Sequence, residues 1–334
     1  MGEKNKVVLG LSGGVDSAVA AAMLSQDLEV HCLYLDTGTG DAGQAAALAD
    51  AIELPFSTAD VRGQLEQQVC APFAADYLAG RTPLPCARCN RLVKFPALLA
   101  EAERVGAHWV ATGHYARTAN GALFRGRPAN DQSYLLARLS TEVLQRVTFP
   151  LGYYEKAQVR TLAAAMGLSV ADKPDSMEIC FVPHDNYAAW LEARGAAAPP
   201  GDFVDPEGRV LGRHRGIHCY TLGQRRGLNI PAAHRLFVSA IDPRTNRITL
   251  SDGSDLGRTQ VVCERPNWLI SPPPSGSFSC TVRLRHSKRD DPVQVQAEGE
   301  RVVIRSDTPL RAPTPGQLAV FYDGEQVLGS AWIC

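Results

Sequence analysis

The sequence predicts an α/β protein in which a parallel-sheet N-terminal domain is followed by a small central β-rich domain and a C-terminal β-barrel. Three observations carry this. The first half of the chain alternates apolar, strand-like runs with alanine-rich helical stretches, the rhythm of βα units. A glycine loop, Ser12-Gly-Gly-Val-Asp-Ser17, joins the first such strand to the first such helix. Past Ala196-Ala-Ala-Pro-Pro-Gly201 the texture changes to short alternating segments broken by Gly, Pro, Asp and Asn, which read as strands of small sheets or barrels. The expected units are 1–198, 199–264 and 265–334, with Ser271-Pro-Pro-Pro-Ser-Gly276 punctuating the start of the last.

In order, residues 7–10 form an apolar strand, the glycine loop follows, and Ala18 to Leu24 open a helix. Strands are expected at 30–35 and 109–112, and helices at 41–52, 95–105 and 155–166. In the second half, 237–241, 247–250, 281–285 and 301–305 alternate with the period of strands.

With 334 residues, 45% of them hydrophobic, the chain can bury a large core. No apolar run approaches the roughly 18 residues of a membrane helix, and the N-terminus lacks a signal-peptide layout, so no membrane partner is expected and the location is cytoplasmic. Nine scattered cysteines, an odd number, do not form a secreted disulfide framework. A net charge of −1 gives no general case for nucleic-acid binding, but the charge is uneven. Residues 77–100 hold four cations, 208–241 six arginines and 281–289 four cations, all without an acid, and a polyanion fits such surfaces.

Backbone N–H groups and the helix dipole make the glycine loop a phosphate site. It has no lysine, so it is not a P-loop. Asp16, Ser12 and Ser17 instead suit magnesium-bound pyrophosphate, which points to adenylation. The plainer alternative is an ordinary capped turn.

Cys86 and Cys89 form a C-x-x-C pair just before a helix, near Arg88 and Arg91, a setting expected to lower the thiol pKa. A zinc site is disfavoured, because no second C-x-x-C or paired histidine completes four ligands. Cys180 on its own reads as a buried small hydrophobe. Cys32, Cys70, Cys219, Cys263, Cys280 and Cys334 are assigned to packing.

These strings, together with Ala111-Thr-Gly-His-Tyr, Asp131-Gln-Ser-Tyr, Phe149-Pro-Leu-Gly, Asp175-Ser, Ile179-Cys-Phe, Gly212-Arg-His-Arg-Gly, Tyr220-Thr-Leu-Gly-Gln-Arg-Arg-Gly-Leu and Gly316-Gln, resemble the tRNA-specific 2-thiouridylase family (MnmA/TrmU) of PP-loop ATP pyrophosphatases over nearly the whole chain. The resemblance implies a PP-loop fold of the adenine nucleotide alpha hydrolase kind. It implies ATP- and Mg2+-dependent adenylation of the C2 oxygen of uridine 34, the wobble base in the anticodon arm of tRNAs for Glu, Gln and Lys, then replacement by sulfur.

ATP contacts are implied for Gly10, Leu11, Ser12, Gly13, Gly14, Val15, Asp16 and Ser17, and for Leu35 and Gly113. The tRNA positions are Leu84, Pro85, Cys86, His114, Asn130, Asp131, Gln132, Arg285, His286 and Gln317. Cys180 would carry terminal sulfur received from a relay donor protein, and Cys89 would release it by closing a disulfide with Cys180. Cys86 stands where many members have aspartate. Cys86, Cys89 and Cys180 therefore also offer three thiolates to a [4Fe-4S] cluster with one iron open to sulfide, and both routes stand. The competing readings are a PP-loop ligase acting on a small metabolite, which needs no thiol pair, and a non-enzymatic RNA-binding or redox-sensing protein.

Overall fold

A computed structural model describes residues 5–174, 179–272, 274–287 and 289–334. Strands β1 (Lys6–Gly10), β2 (Glu29–Asp36), β3 (Phe56–Asp60), β4 (Trp109–Thr112) and, after a hairpin of β5 (Ala116–Ala119) and β6 (Ala122–Arg125), β7 (Val147–Thr148) supply the N-terminal region. Five of them make a parallel sheet in the order β3-β2-β1-β4-β7. The central strand is apolar on both sides because both faces are covered. Val8 packs with Phe95 and Leu98 of the helix Phe95–Val105 on one face. Val7 and Leu9 pack on the other with Val19, Leu48 and Val159, from helices α1 (Val15–Leu24), α2 (Ala42–Ala51) and the later Lys156–Ala165. The strand order reverses between β1 and β4, and the crevice outside the carboxyl ends at such a reversal is where open α/β sheets bind ligands.

Strands β8 (Gly201–Val204), β9 (Val210–His214), β10 (Phe237–Asp242) and β11 (Arg247–Ser251) form a four-stranded sheet around Phe203, Val238, Ile248 and Leu250. The last six strands are β12 (Gly257–Trp268), β13 (Gly276–Arg283), β14 (Asp291–Glu298), β15 (Arg301–Arg311), β16 (Leu318–Asp323) and β17 (Gln326–Ile333). They run antiparallel in the order β12-β15-β14-β13-β16-β17, and β12 pairs back onto β17 to close a six-stranded barrel. The edge expected at 264/265 falls inside β12, which pairs with β17 on both sides of it, at Cys263↔Ile333 and Trp268↔Gly329.

The hairpin β5–β6 was not foreseen. Its turn is Asn120-Gly121, both at positive φ, and it adds to the barrel through Gln326↔Phe124. The N-terminal region is thereby locked to the barrel, with Tyr134 Oη donating to Leu318 O at 2.9 Å and Ser330 Oγ to Ala137 O at 2.8 Å. Among the described residues no helix is long and apolar enough to cross a membrane.

Candidate active site

The glycine loop leaves β1 at the strand-order reversal and enters α1 there. Gly13 has φ +78°, so a side chain would be strained at that residue. Gly14 is the extended N-cap of α1, and a Cβ on it would meet only Ser12 Oγ at 3.5 Å. Ser17 Oγ donates to Gly14 O at 3.0 Å and accepts from Ser12 N at 3.1 Å, which fixes the turn. Leu11 and Val15 are buried beneath it, and Leu35 lies near the end of β2, paired with Ala59. Asp16 is engaged by two protein partners. Lys156 Nζ lies 2.7 Å from both of its carboxylate oxygens, and Tyr115 Oη donates to Oδ1 at 2.7 Å.

Gly113 follows β4 on the opposite wall. A Cβ there would lie 2.9 Å from both Asp16 C and Ser17 N, backbone atoms that cannot swing aside. Gly113→Ala is therefore expected to displace the loop and weaken nucleotide binding by about tenfold or more, within the cost range of overpacking. Titration calorimetry with ATP checks this, and unchanged affinity would show that the turn is not part of the site. Gly10 is less constrained, its nearest would-be neighbour being Leu98 Cδ2 at 3.5 Å. Beside Gly113, His114 Nδ1 is 2.7 Å from Thr112 Oγ1, and burial, with Lys94 adding to it, holds its pKa well below the usual histidine range.

The C-x-x-C pair lies inside a helix rather than before one. Pro85–Cys89, a π-wound turn Asn90–Lys94 and Phe95–Val105 run on continuously, with Pro85 at the start where a missing N–H costs nothing. Cys180 is brought alongside, its carbonyl accepting from Thr39 Oγ1 at 2.9 Å. Cys86, Cys89 and Cys180 lie close enough that their thiolates would repel one another, and Lys94 is the cation that all three share. Buried Cys70, assigned above to packing, feels Cys89 and Cys180 as well.

The expected depression of the thiol pKa is not found. Desolvation dominates: Cys86 is pushed up to about 11, and Cys89 and Cys180 are also raised, with Lys94 opposing the shift in each. Cys86 and Cys180 are reachable from solvent yet surrounded by protein, so exposure does not amount to hydration. In the free protein, alkylation of Cys86 by iodoacetamide should therefore climb about tenfold per pH unit from about pH 7 to about pH 10, because thiolate appears only as pH approaches the raised value. Peptide mass spectrometry reads the rate, and a plateau near pH 8 would contradict the shift.

A family model described as the tRNA methyl transferase HUP domain matches residues 5–184. The tRNA methyl transferase PRC-barrel domain matches 189–252 and the Aminomethyltransferase beta-barrel domain 258–333. The tRNA-specific 2-thiouridylase MnmA of Syntrophotalea carbinolica is 41% identical, with 100% of both chains covered. That of Rhodospirillum centenum is 41% identical over 99% of this chain and 92% of its own, and that of Acidithiobacillus ferrooxidans 41% over 98% of each. The chain belongs to the MnmA 2-thiouridylase family.

In this 2-thiouridylase-family chain the remaining positions fall in two groups. Gln317 donates through Nε2 to Thr82 O at 2.9 Å and Pro83 O at 3.3 Å, and Thr82 N donates to Pro315 O, so the barrel holds the backbone leading into Leu84 and Pro85, both buried. Arg285 Nη2 donates to Ala312 O and Thr314 Oγ1, while its buried Nε has no partner among the described residues; exposed His286 stacks on Tyr134. Gln132 accepts from Tyr115 N through Oε1, beside Asn130. Asp131 is buried, accepting from Gly126 N, Ser133 N and Arg283, so it holds the two regions together from inside. Asp175, of the Asp175-Ser string, lies outside the described residues.

Among the described residues, one group of ligand atoms lies within 4.8 Å of one another: Glu192, His218 and Cys219. Ala198 N donates to His218 Nδ1 at 3.1 Å, which leaves the proton on the Nε2 that faces the other two, and Arg215 Nη2 is 3.5 Å from Cys219 Sγ. That arrangement repels a cation. Cys86, Cys89 and Cys180 do not form a group this tight, and their all-sulfur donor set is the kind that iron-sulfur clusters take.

Proposed function

We propose that this chain is a tRNA-uridine 2-sulfurtransferase that thiolates the wobble uridine of tRNAs for Glu, Gln and Lys in the cytoplasm, using ATP with Mg2+. The observation that carries the reading is Lys94: one ammonium neighbours His114, at the wall of the glycine loop, and all three thiols. This supports a reading in which a base activated at the loop meets sulfur nearby.

In the first step the C2 oxygen bonds to the α-phosphorus, the bond to the α,β-bridging oxygen breaks, and its electron pair leaves with pyrophosphate. In the second, sulfur bonds to C2 and the C–O electrons leave with AMP. On the persulfide route, Cys180 carries the terminal sulfur and Cys89 attacks Cys180 Sγ; the resulting disulfide is reopened by a dithiol or thioredoxin-type reductant. On the cluster route, Cys86, Cys89 and Cys180 would hold a [4Fe-4S] cluster, which when bound would supply an iron for sulfide. Lys94 favours the anionic form of the thiols on either route.

For the RNA, His114, Asn130, Gln132, His286, Leu84 and Pro85 are the positions proposed to meet the anticodon arm. Among the described residues Arg88 and Arg285 each keep a buried Nε without a partner, which fits phosphate. Asp131 and Gln317 act by positioning.

The test is thiolation of unmodified tRNA-Glu by the purified chain with ATP, Mg2+ and sulfide, scored by retardation in a mercury-containing gel, with as-isolated and anaerobically reconstituted protein. ATP-dependent retardation is expected. Its absence in both states, with donor proteins supplied, would return the small-metabolite ligase to first place.

A further inference from the structure

The glycine loop contains no lysine, yet two lysines from later segments converge on it. Lys156, the first residue of its helix, grips both oxygens of Asp16 at 2.7 Å. Lys173 approaches from the other side, its Nζ donating to Gly13 O at 2.9 Å and to Gln44 Oε1 at 2.6 Å. Gln44 belongs to the first turn of α2, which abuts Gly13 so closely that a Cβ there would sit 3.5 Å from Gln44 Oε1.

The two ammonium groups differ in what they answer. Lys156 is already matched by the Asp16 carboxylate. The partners of Lys173 among the described residues are two neutral oxygens, a carbonyl and an amide, so a half-buried positive charge stands at the loop without a carboxylate. Together, two lysines and one aspartate give the loop a net charge of +1 from these side chains, and the excess lies on Lys173. An anion that enters the loop meets that ammonium directly and can replace Gln44 as its partner.

We propose that Lys173 is the triphosphate-binding cation of this loop, gripping the pyrophosphate half of ATP, with Lys156 as a positioning residue that prevents Asp16 from repelling the same phosphates. This rests on the adenylation reading above and extends it to the leaving group. As the bond from the α-phosphorus to the bridging oxygen breaks, negative charge grows on the departing pyrophosphate, and Lys173 is the group placed to receive it. Lysine then serves here as it does in a P-loop, but is supplied from about 160 residues away in sequence.

The proposal separates the two ends of the nucleotide. A cation for the pyrophosphate half matters to ATP and to free pyrophosphate and not to AMP, whereas damage to the loop would weaken all three. The experiment is titration calorimetry of the full chain with ATP, AMP and inorganic pyrophosphate, in the presence of Mg2+, for the wild type, Lys173→Met and Lys173→Arg. Lys173→Met should lose about tenfold to a hundredfold in affinity for ATP and pyrophosphate, the range for a hydrogen bond to a charged group, and keep AMP within about twofold. Lys173→Arg should recover most of the loss. A parallel loss for AMP, or no loss for ATP, would overturn the assignment. A wild-type chain that binds neither ATP nor AMP would instead overturn the adenylation reading itself, and this proposal with it.

Discussion

Cys89→Ser is expected to abolish 2-thiouridine formation, by about 10^3-fold or more, while leaving pyrophosphate release from ATP in the presence of tRNA within a few-fold of wild type. The two proposed half-reactions use different residues. On the proposed reaction adenylation depends on the loop after β1, on Gly113 and on the lysines. Sulfur transfer depends on thiolates, and a serine hydroxyl supplies neither a comparable nucleophile nor a soft ligand for iron. Cys180→Ser should behave alike. Cys86 discriminates between routes: Cys86→Ser should keep most activity if sulfur travels as a Cys180 persulfide, and lose it along with bound iron if three thiolates hold a cluster. Retention of thiolation by both Cys89→Ser and Cys180→Ser would remove these cysteines from the chemistry.

The parts of this site that were legible in sequence are those set by local rules. Ser12 to Ser17 sits between an apolar strand and an alanine-rich helix, and those patterns alone put the loop at a helix start, where the structure has it. The left-handed residue and the close approach fall at Gly13 and Gly113, two of the positions singled out. What could not be read is what arrives from far away. Lys156 and Lys173 lie 140 and 160 residues from their loop partners, and no periodicity encodes that meeting. The raised thiol values were missed for a related reason: helix position is local, whereas desolvation comes from the elements packed around Cys86, Cys89 and Cys180. The β5–β6 hairpin is a different failure, since Asn120-Gly121 between short alternating runs is itself a hairpin signal.

The largest stability effect is expected at the ion pair that joins the sheet region to the barrel. Arg283→Met should destabilise the chain by about 3–5 kcal/mol, seen as a fall in the urea midpoint of the first unfolding transition. The side chains of Arg283 and Asp131 are only 7% and 5% exposed, and Nη1 meets Oδ2 at 2.8 Å. Methionine fills much of the volume but leaves the Asp131 carboxylate buried without its cation, with Gly126 N and Ser133 N at 3.0 Å as its remaining donors. It also frees Asp290, which holds Nε of the same arginine at 2.9 Å, and that cost is smaller because Asp290 is more exposed and keeps Arg125 at 2.9 Å. The diagnostic variant is Asp131→Asn in the Arg283→Met background. The amide keeps an oxygen for the two backbone donors and removes the unpaired charge, so the double variant should be more stable than Arg283→Met alone. Such a sign of coupling follows only if the buried charge, rather than lost packing, causes the damage. A double variant less stable than the single, or a single variant within about 1 kcal/mol of wild type, would mean that the hairpin and backbone bonds at Leu318 and Ala137 hold this junction and that the ion pair only accompanies them.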